Sequence, residues 1–327
     1  GNNSNGVGVN AGAGAEVNAG ITPDSPLYFL NTALARLGLA LTFDKAAKAE
    51  KGLKIAQERL LEVQAMTEAG KPEKAEKAER EYEKALDAAT KAAEGIESNG
   101  DFAAARKALE KISYLQNQTE SHYEKVTEVK DGILQRQGLR MSPEKIAKLQ
   151  QVFSKIEYKA RQMEIKLDSK KDKVKAKQKA LANLTSEEVN ALEKEIDEKT
   201  GLAKGRYERT EKEIERAKAA IELAKERTRA TKAKGINVAE IEELLDEADR
   251  QAARLRASQA INNKSAQYHA EQLADFGNEV SALATLLGEA KKEGEFREVF
   301  NKMKETIRER HIESLEDVSG EASERAE

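Results

Sequence analysis

Residues 241–290 read IEELLDEADRQAARLRASQAINNKSAQYHAEQLADFGNEVSALATLLGEA. Ile241, Leu245, Ala248, Ala252, Leu255, Gln259, Asn262, Ala266, His269, Leu273, Phe276, Val280, Leu283, Leu287 and Ala290 recur at strictly alternating intervals of 4 and 3. That interval places one mostly apolar stripe along a helix and is the mark of a coiled-coil seam. Read as one element, it predicts a single helix of roughly 80 Å, closed by Gly294. A stripe that long has to be covered by other helices, so the reading points to an all-α, elongated, antiparallel bundle of long coiled-coil helices.

Similar stripes fill the chain upstream. Asp44 to Glu68 carries Ala49, Leu53, Ala56, Leu60 and Val63, and Gly70 and Pro72 mark the turn after it. Pro72 to about Ser98 carries Ala75, Ala78, Tyr82, Ala85, Ala89, Ala92 and Ile96. Asp101 caps a third stripe, Phe102, Ala105, Leu109, Ile112, Tyr123, Val126 and Ile133, which ends at Gly138. The fourth opens at Ser142-Pro143 and carries Ile146, Leu149, Phe153, Ile156, Ala160, Met163, Leu167, Val174 and Leu181. Thr185 and Glu188 form a capping box before a fifth helix, whose phase slips near Gly201 and Gly205 as in a coiled-coil stutter. Lys234-Gly235 closes that helix, and short connections predict antiparallel neighbours. Ile55–Arg59 and Leu223–Arg227 echo one another, which reads as shared composition rather than duplication.

The organisation expected is a Gly/Asn/Ala-rich low-complexity head at 1–20, an N-terminal helical domain at 21–138 and a long coiled-coil region at 139–294. A short helix at 295–312, with Phe296, Phe300, Met303 and Ile307, and an acidic tail at 313–327 follow. Ser25 and Pro26 start a short helix before all of these, with Leu27, Leu30, Leu34, Leu37 and Leu41 on one stripe.

Composition agrees with long helices. Of 327 residues 35% are charged and 4% aromatic, so large apolar side chains are too few for a thick core. The 56 basic and 59 acidic residues are interleaved, which reads as solvated helix faces and not as a nucleic-acid footprint. Lys166–Lys179 holds seven lysines and two aspartates and reads as a solvated stretch of one helix. No disulfide, thiolate site or cysteine nucleophile is available, since Cys is absent.

The residue patterns that carry chemistry do not occur. The three histidines, His122, His269 and His311, are preceded three residues earlier by Thr119, Ala266 and Arg308, so no Glu-x-x-His ligand pair exists. Neither a Gly-x-Ser-x-Gly elbow nor a phosphate-binding Gly-rich loop is found. The expectation is therefore no enzyme, no catalytic residue, no metal and no cofactor. Gln259, Asn262 and His269, with Gln116 and Thr119, are polar residues on apolar stripes. Such residues set register and partner choice, and a buried metal or ligand site is the sharper, less supported reading.

Pro23-Asp24-Ser25-Pro26-Leu27-Tyr28-Phe29-Leu30, then Leu39-Ala40-Leu41-Thr42-Phe43-Asp44 and an Ala/Lys/Glu helix, resemble an uncharacterised helical domain of exported archaeal and bacterial proteins over about residues 21–98. The resemblance implies a secreted or cell-surface setting, with a leader removed, and brings no catalytic residues. Asn2, Asn117, Asn183 and Asn263 lie in glycosylation sequons, against about one or two expected by chance.

The expectation is an extracellular structural subunit that self-associates, in a filament or surface layer, through its head and the exposed apolar residues Leu27, Phe29, Leu30 and Leu34. One alternative is a monomeric adhesin holding a partner near Gly70 or Gly235. The other is a membrane-surface scaffold, with Leu27–Phe43 in the interface and Lys166–Lys179 on anionic lipid.

Overall fold

The structure, a computed structural model, describes residues 22–25, 28–98, 100–137, 143–261 and 263–289. The head at 1–20, the short helix expected at 295–312 and the acidic tail lie outside the described residues, as do Leu27, Asn2 and Asn262. Among the described residues the chain is all-α, with no strand.

The helices begin and end where local chemistry demands. α1 is Tyr28–Ala40 and α2 is Lys45–Glu68, whose N-cap Asp44 accepts from the Ala47 amide at 2.8 Å. Gly70, at φ 69°, makes the turn into α3, Pro72–Glu94, with proline in its first turn. α3 therefore stops short of Ser98, at Gly95. α4, Phe102–Gln137, starts under Asp101, which accepts from the Ala104 amide at 2.9 Å. α5, Pro143–Ala182, ends in Asn183 at φ 51°, and α6, Ser186–Lys199, opens with the Thr185–Glu188 capping box in place. α7 is Leu202–Lys232, α8 Ala239–Ile261 and α9 Asn263–Glu289. The slip near Gly201 is a break and not a stutter: Gly201 sits at φ 74° and separates α6 from α7.

The chain divides into two compact units, at Leu202 and Ala203. Helices expected together in 139–294 fall on both sides, because α5 and α6 complete the first unit's core.

In the first unit α2 to α5 form a four-helix bundle. Lys111–Asp44 and Arg136–Glu68 pair α4 with α2 in the same direction, and Lys155–Glu79 with Lys159–Asp87 do so for α5 and α3. Lys130–Glu157 and Gln116–Asp168 pair α4 with α5 antiparallel. The α3–α4 connection thus crosses the bundle diagonal, so short links did not make every neighbour antiparallel. The expected stripes form the core: Leu53, Leu60, Tyr82, Leu109, Ile112, Phe153, Ile156 and Met163 are buried together. Alanines let the helices approach closely, and at Gly52 a Cβ would stand 2.9 Å from the Ala89 Cβ. α5, at 40 residues, runs about 60 Å and outlasts α3; α6 folds back along its last turns.

Among the described residues the second unit packs α7, α8 and α9 together, and here the reading of 241–290 as one helix is corrected. Lys225–Asp249 and Lys232–Glu242 set α8 antiparallel to α7. Arg216–Asp275 (3.5 Å), Arg227 to Thr285 Oγ1 (2.7 Å) and Lys234 to the Gly288 carbonyl (2.8 Å) set α9 parallel to α7. α8 and α9 are therefore antiparallel. The physical reason is coverage. A 50-residue stripe needs a partner as long as itself, whereas a hairpin hides Ile241–Leu255 against Ala270–Leu283 within one unit.

Candidate functional site

α1 keeps an apolar face that the other described helices do not cover. Its N-terminal end is pinned by Asp24, which bonds Lys71 Nζ at 2.5 Å and accepts from Thr22. The Lys71 hydrogen bond, then that of Thr22, hold the Asp24 carboxyl down at about 2. From there α1 runs antiparallel to α2 and along α3. Its inner face carries Tyr28, 2% exposed, and Leu39. The Tyr28 ring lies 5.4 Å from the Arg59 guanidinium and 4.9 Å from the Lys77 ammonium, a double cation–π arrangement. At the other end Arg36 grips both Glu81 oxygens at 2.6 and 2.5 Å. Burial pushes Glu81 up, but the Lys84 and Arg36 hydrogen bonds leave it below the usual value.

Beneath α1 lies a buried ion pair. Arg59 and Glu62 are each 1% exposed and meet at 2.7 Å, one helical turn apart on α2. Burial raises the Glu62 carboxyl to about 7 although Arg59 opposes it, and burial raises Tyr28 to about 12. A shallow cleft beside the pair is lined by Thr32, Arg36, Leu39, Ile55, Arg59 and Glu81. Its charged groups already have partners, so it belongs to the seat of α1.

The outer face of α1 is apolar and faces solvent. Leu30, Leu34, Leu37 and Leu41 are 55–61% exposed, and Phe43 just beyond is 87% exposed. Ala33 and Ala40 lie on the same exposed face. Of the four residues expected to mediate assembly, Leu30 and Leu34 are on this face; Leu27 lies outside the described residues, as does the side chain of Phe29. Leu37, Leu41 and Phe43 complete the face and were not singled out, although the 4-3-4 spacing contained the first two. What hid them is that α1 is apolar on both sides, so periodicity does not say which side the bundle covers.

A second polar arrangement lies inside the bundle. Tyr82 Oη and His122 Nε2 are 2.8 Å apart, with rings stacked at 5.5 Å. Burial lowers His122 to about 4 and pushes Tyr82 up, so the imidazole is neutral at neutral pH. Gln116 donates to Asp168 at 2.6 Å and Thr119 to the Leu115 carbonyl at 2.8 Å, so both residues are held within the bundle, although the Gln116 Oε1 is buried without a hydrogen-bond partner. Gln259 is buried near the end of α8, and His269 is half-buried beside Tyr268. Among the described residues no group of three or more His, Asp or Glu side chains is placed to hold a metal.

The other candidate surfaces are largely engaged inside the chain. In the lysine run, Lys166 pairs with Glu94, Lys171 with Asp197 at 2.7 Å and Lys175 with Glu193, while Lys170 bonds the Glu94 carbonyl. Of the sequons, Asn183 is exposed in its left-handed turn; Asn117 is half-buried, with Nδ2 3.5 Å from where a Gly201 Cβ would stand. Asn263 opens α9, and its side chain is outside the described residues.

Residues 20–135 match a domain of unknown function (DUF5667). The match takes in α1, α2, α3 and nearly all of α4, about a third of the chain, and reaches further than the 21–98 of the sequence resemblance. It ends before α5, which nonetheless supplies one wall of the core. No curated protein matches the chain, and no solved structure does.

Proposed function

We propose that this chain is a non-enzymatic structural protein, exported to the cell surface or beyond, that self-associates through the outer face of α1. The observation that carries the reading is the row Leu30, Leu34, Leu37, Leu41 and Phe43, exposed at heptad-like spacing on a helix fastened to a bundle. Burying such a row is favourable in proportion to its area, and no other described element covers it. Export rests on the resemblance of the Pro23–Leu30 and Leu39–Asp44 motifs and on the excess of sequons. Glycan occupancy would be carried by Asn183 before Asn117, on exposure.

Light scattering coupled to size exclusion, across a concentration series, tests the reading. Mass should rise with concentration in the wild type and stay at one chain in Leu34→Glu. A wild type that remains one chain at every concentration removes self-association.

A membrane-surface role is the second reading, because an uncharged apolar face also suits a lipid interface. It is weakened by the lysine run, several of whose members are held by Glu94, Glu193 and Asp197. No described helix is long and apolar enough to cross a membrane.

A further inference from the structure

We infer that the occupant of the outer α1 face is α1 of a second copy, laid antiparallel about a two-fold axis; this rests on the self-association proposed above. The spacing of Leu30, Leu34, Leu37 and Leu41 is 4-3-4, which reads the same from either end. A two-fold axis between Leu34 and Leu37 therefore sets Leu30 opposite Leu41 of the partner subunit and Leu34 opposite Leu37 of the partner subunit. Such an interface is isologous: each copy offers and accepts the same row.

Charge argues for a like partner. Within Tyr28–Ala40 the sole charged residue is Arg36, and it is committed to Glu81. Helices that select a different partner do so with charges flanking the apolar seam. This seam is flanked by Ala33 and Ala40, which also allow close approach. Direction follows from the ends. Parallel pairing would set like ends of the two helix dipoles side by side. Antiparallel pairing sets each positive helix end near a negative one.

Area sets the strength. Roughly 100 Å² of each leucine and about 150 Å² of Phe43 are available, so a symmetric pair hides on the order of 1,100 Å². That is at the lower edge of stable interfaces, so the pair forms reversibly, at micromolar concentrations or above.

Sedimentation velocity of the full chain tests the pairing. Leu30→Glu and Leu41→Lys, made separately, should each weaken the dimer by about 10–100-fold, since each buries an unpaired charge. Combined in one chain they should recover most of that loss, because antiparallel packing brings the new glutamate onto the new lysine of the partner. These side chains are exposed, and unchanged thermal melts confirm that the variants fold. If the double variant is as weak as the singles while Leu34→Glu still abolishes a wild-type dimer, the antiparallel register is overturned and self-association through α1 stands. A wild type that stays monomeric overturns both. If that monomer binds phosphatidylcholine vesicles, with or without phosphatidylserine, and Leu34→Glu abolishes the binding, the occupant is a lipid surface and not a second copy.

Discussion

The hydroxyl of Tyr82 on α3 and Nε2 of His122 on α4 meet at 2.8 Å across the diagonal of the first bundle. α3 and α4 are joined by a seven-residue link, residues 95–101, yet they are not side-by-side neighbours; this hydrogen bond connects them through the core. Tyr82→Phe removes the partner of a fully buried imidazole nitrogen and should destabilise the unit by about 1–3 kcal/mol. Because the two groups share one bond, Tyr82→Phe combined with His122→Leu should cost less than the sum of the single changes. Urea unfolding of the three variants checks this, and strict additivity would contradict the geometry.

The same pair governs part of the pH response. Burial lowers His122 from 6.5 to about 4. Between those values the unfolded chain binds a proton that the folded chain does not, so stability falls as pH drops from about 6.5 toward 4. The loss is on the order of 3 kcal/mol. Glu62 acts in the opposite sense. Its folded value is raised from 4.5 to about 7, so its contribution is complete below 4.5 and is lost as pH rises through 7. Comparing wild type with His122→Leu over this range isolates the histidine: the variant should lose the acid-side decline and keep the decline toward pH 7.

Arg59 and Glu62 are a buried pair beneath α1. Removing one partner strands the other charge, so Arg59→Leu should cost about 3–5 kcal/mol where Glu62 is ionised, on the alkaline side of neutral pH. Arg59→Leu with Glu62→Leu together should recover most of it, since an apolar replacement strands no charge. The single variant should also become more stable as pH falls, when Glu62 takes up a proton. Thermal melts at pH 5 and pH 8 separate the two outcomes.

Gly277 tests the hairpin of the second unit. A Cβ there would stand 2.7 Å from the Ala220 carbonyl carbon and 2.8 Å from its Cβ, because α7 and α9 pack closely. Gly277→Ala should therefore destabilise by about 1–3 kcal/mol through overpacking. In a straight 50-residue helix the same change would raise helix propensity and stabilise by about 1 kcal/mol. The sign of the change in melting temperature decides between the two arrangements.

Much of the fold was legible in the residue spacing. The stripes through Leu53, Leu60, Phe153 and Met163 are the core, and the Thr185–Glu188 box and Gly70 mark ends where expected. That α8 and α9 lie antiparallel is not legible in the spacing. The polar run Asn262-Asn263-Lys264-Ser265 interrupts the apolar pattern, but Gln259, Asn262 and Ala266 keep the 4-3 beat through it, so the stripe reads as continuous. The candidate face was half legible. Leu30 and Leu34 were identified, whereas Leu37, Leu41 and Phe43 needed to be seen against the bundle.

Spacing, caps and glycines act over one or two helical turns, so the sequence by itself determined that this chain is helical, where most helices end and which residues share a face. Those local rules do not record what each face meets. Only the tertiary structure decided that the longest stripe folds onto itself, that α3 and α4 lie across a diagonal, and that α1 turns Tyr28 and Leu39 inward and its leucines outward. The reason is that each outcome depends on contacts between residues far apart in the chain, chosen by which surfaces remain to be covered once the other helices have packed.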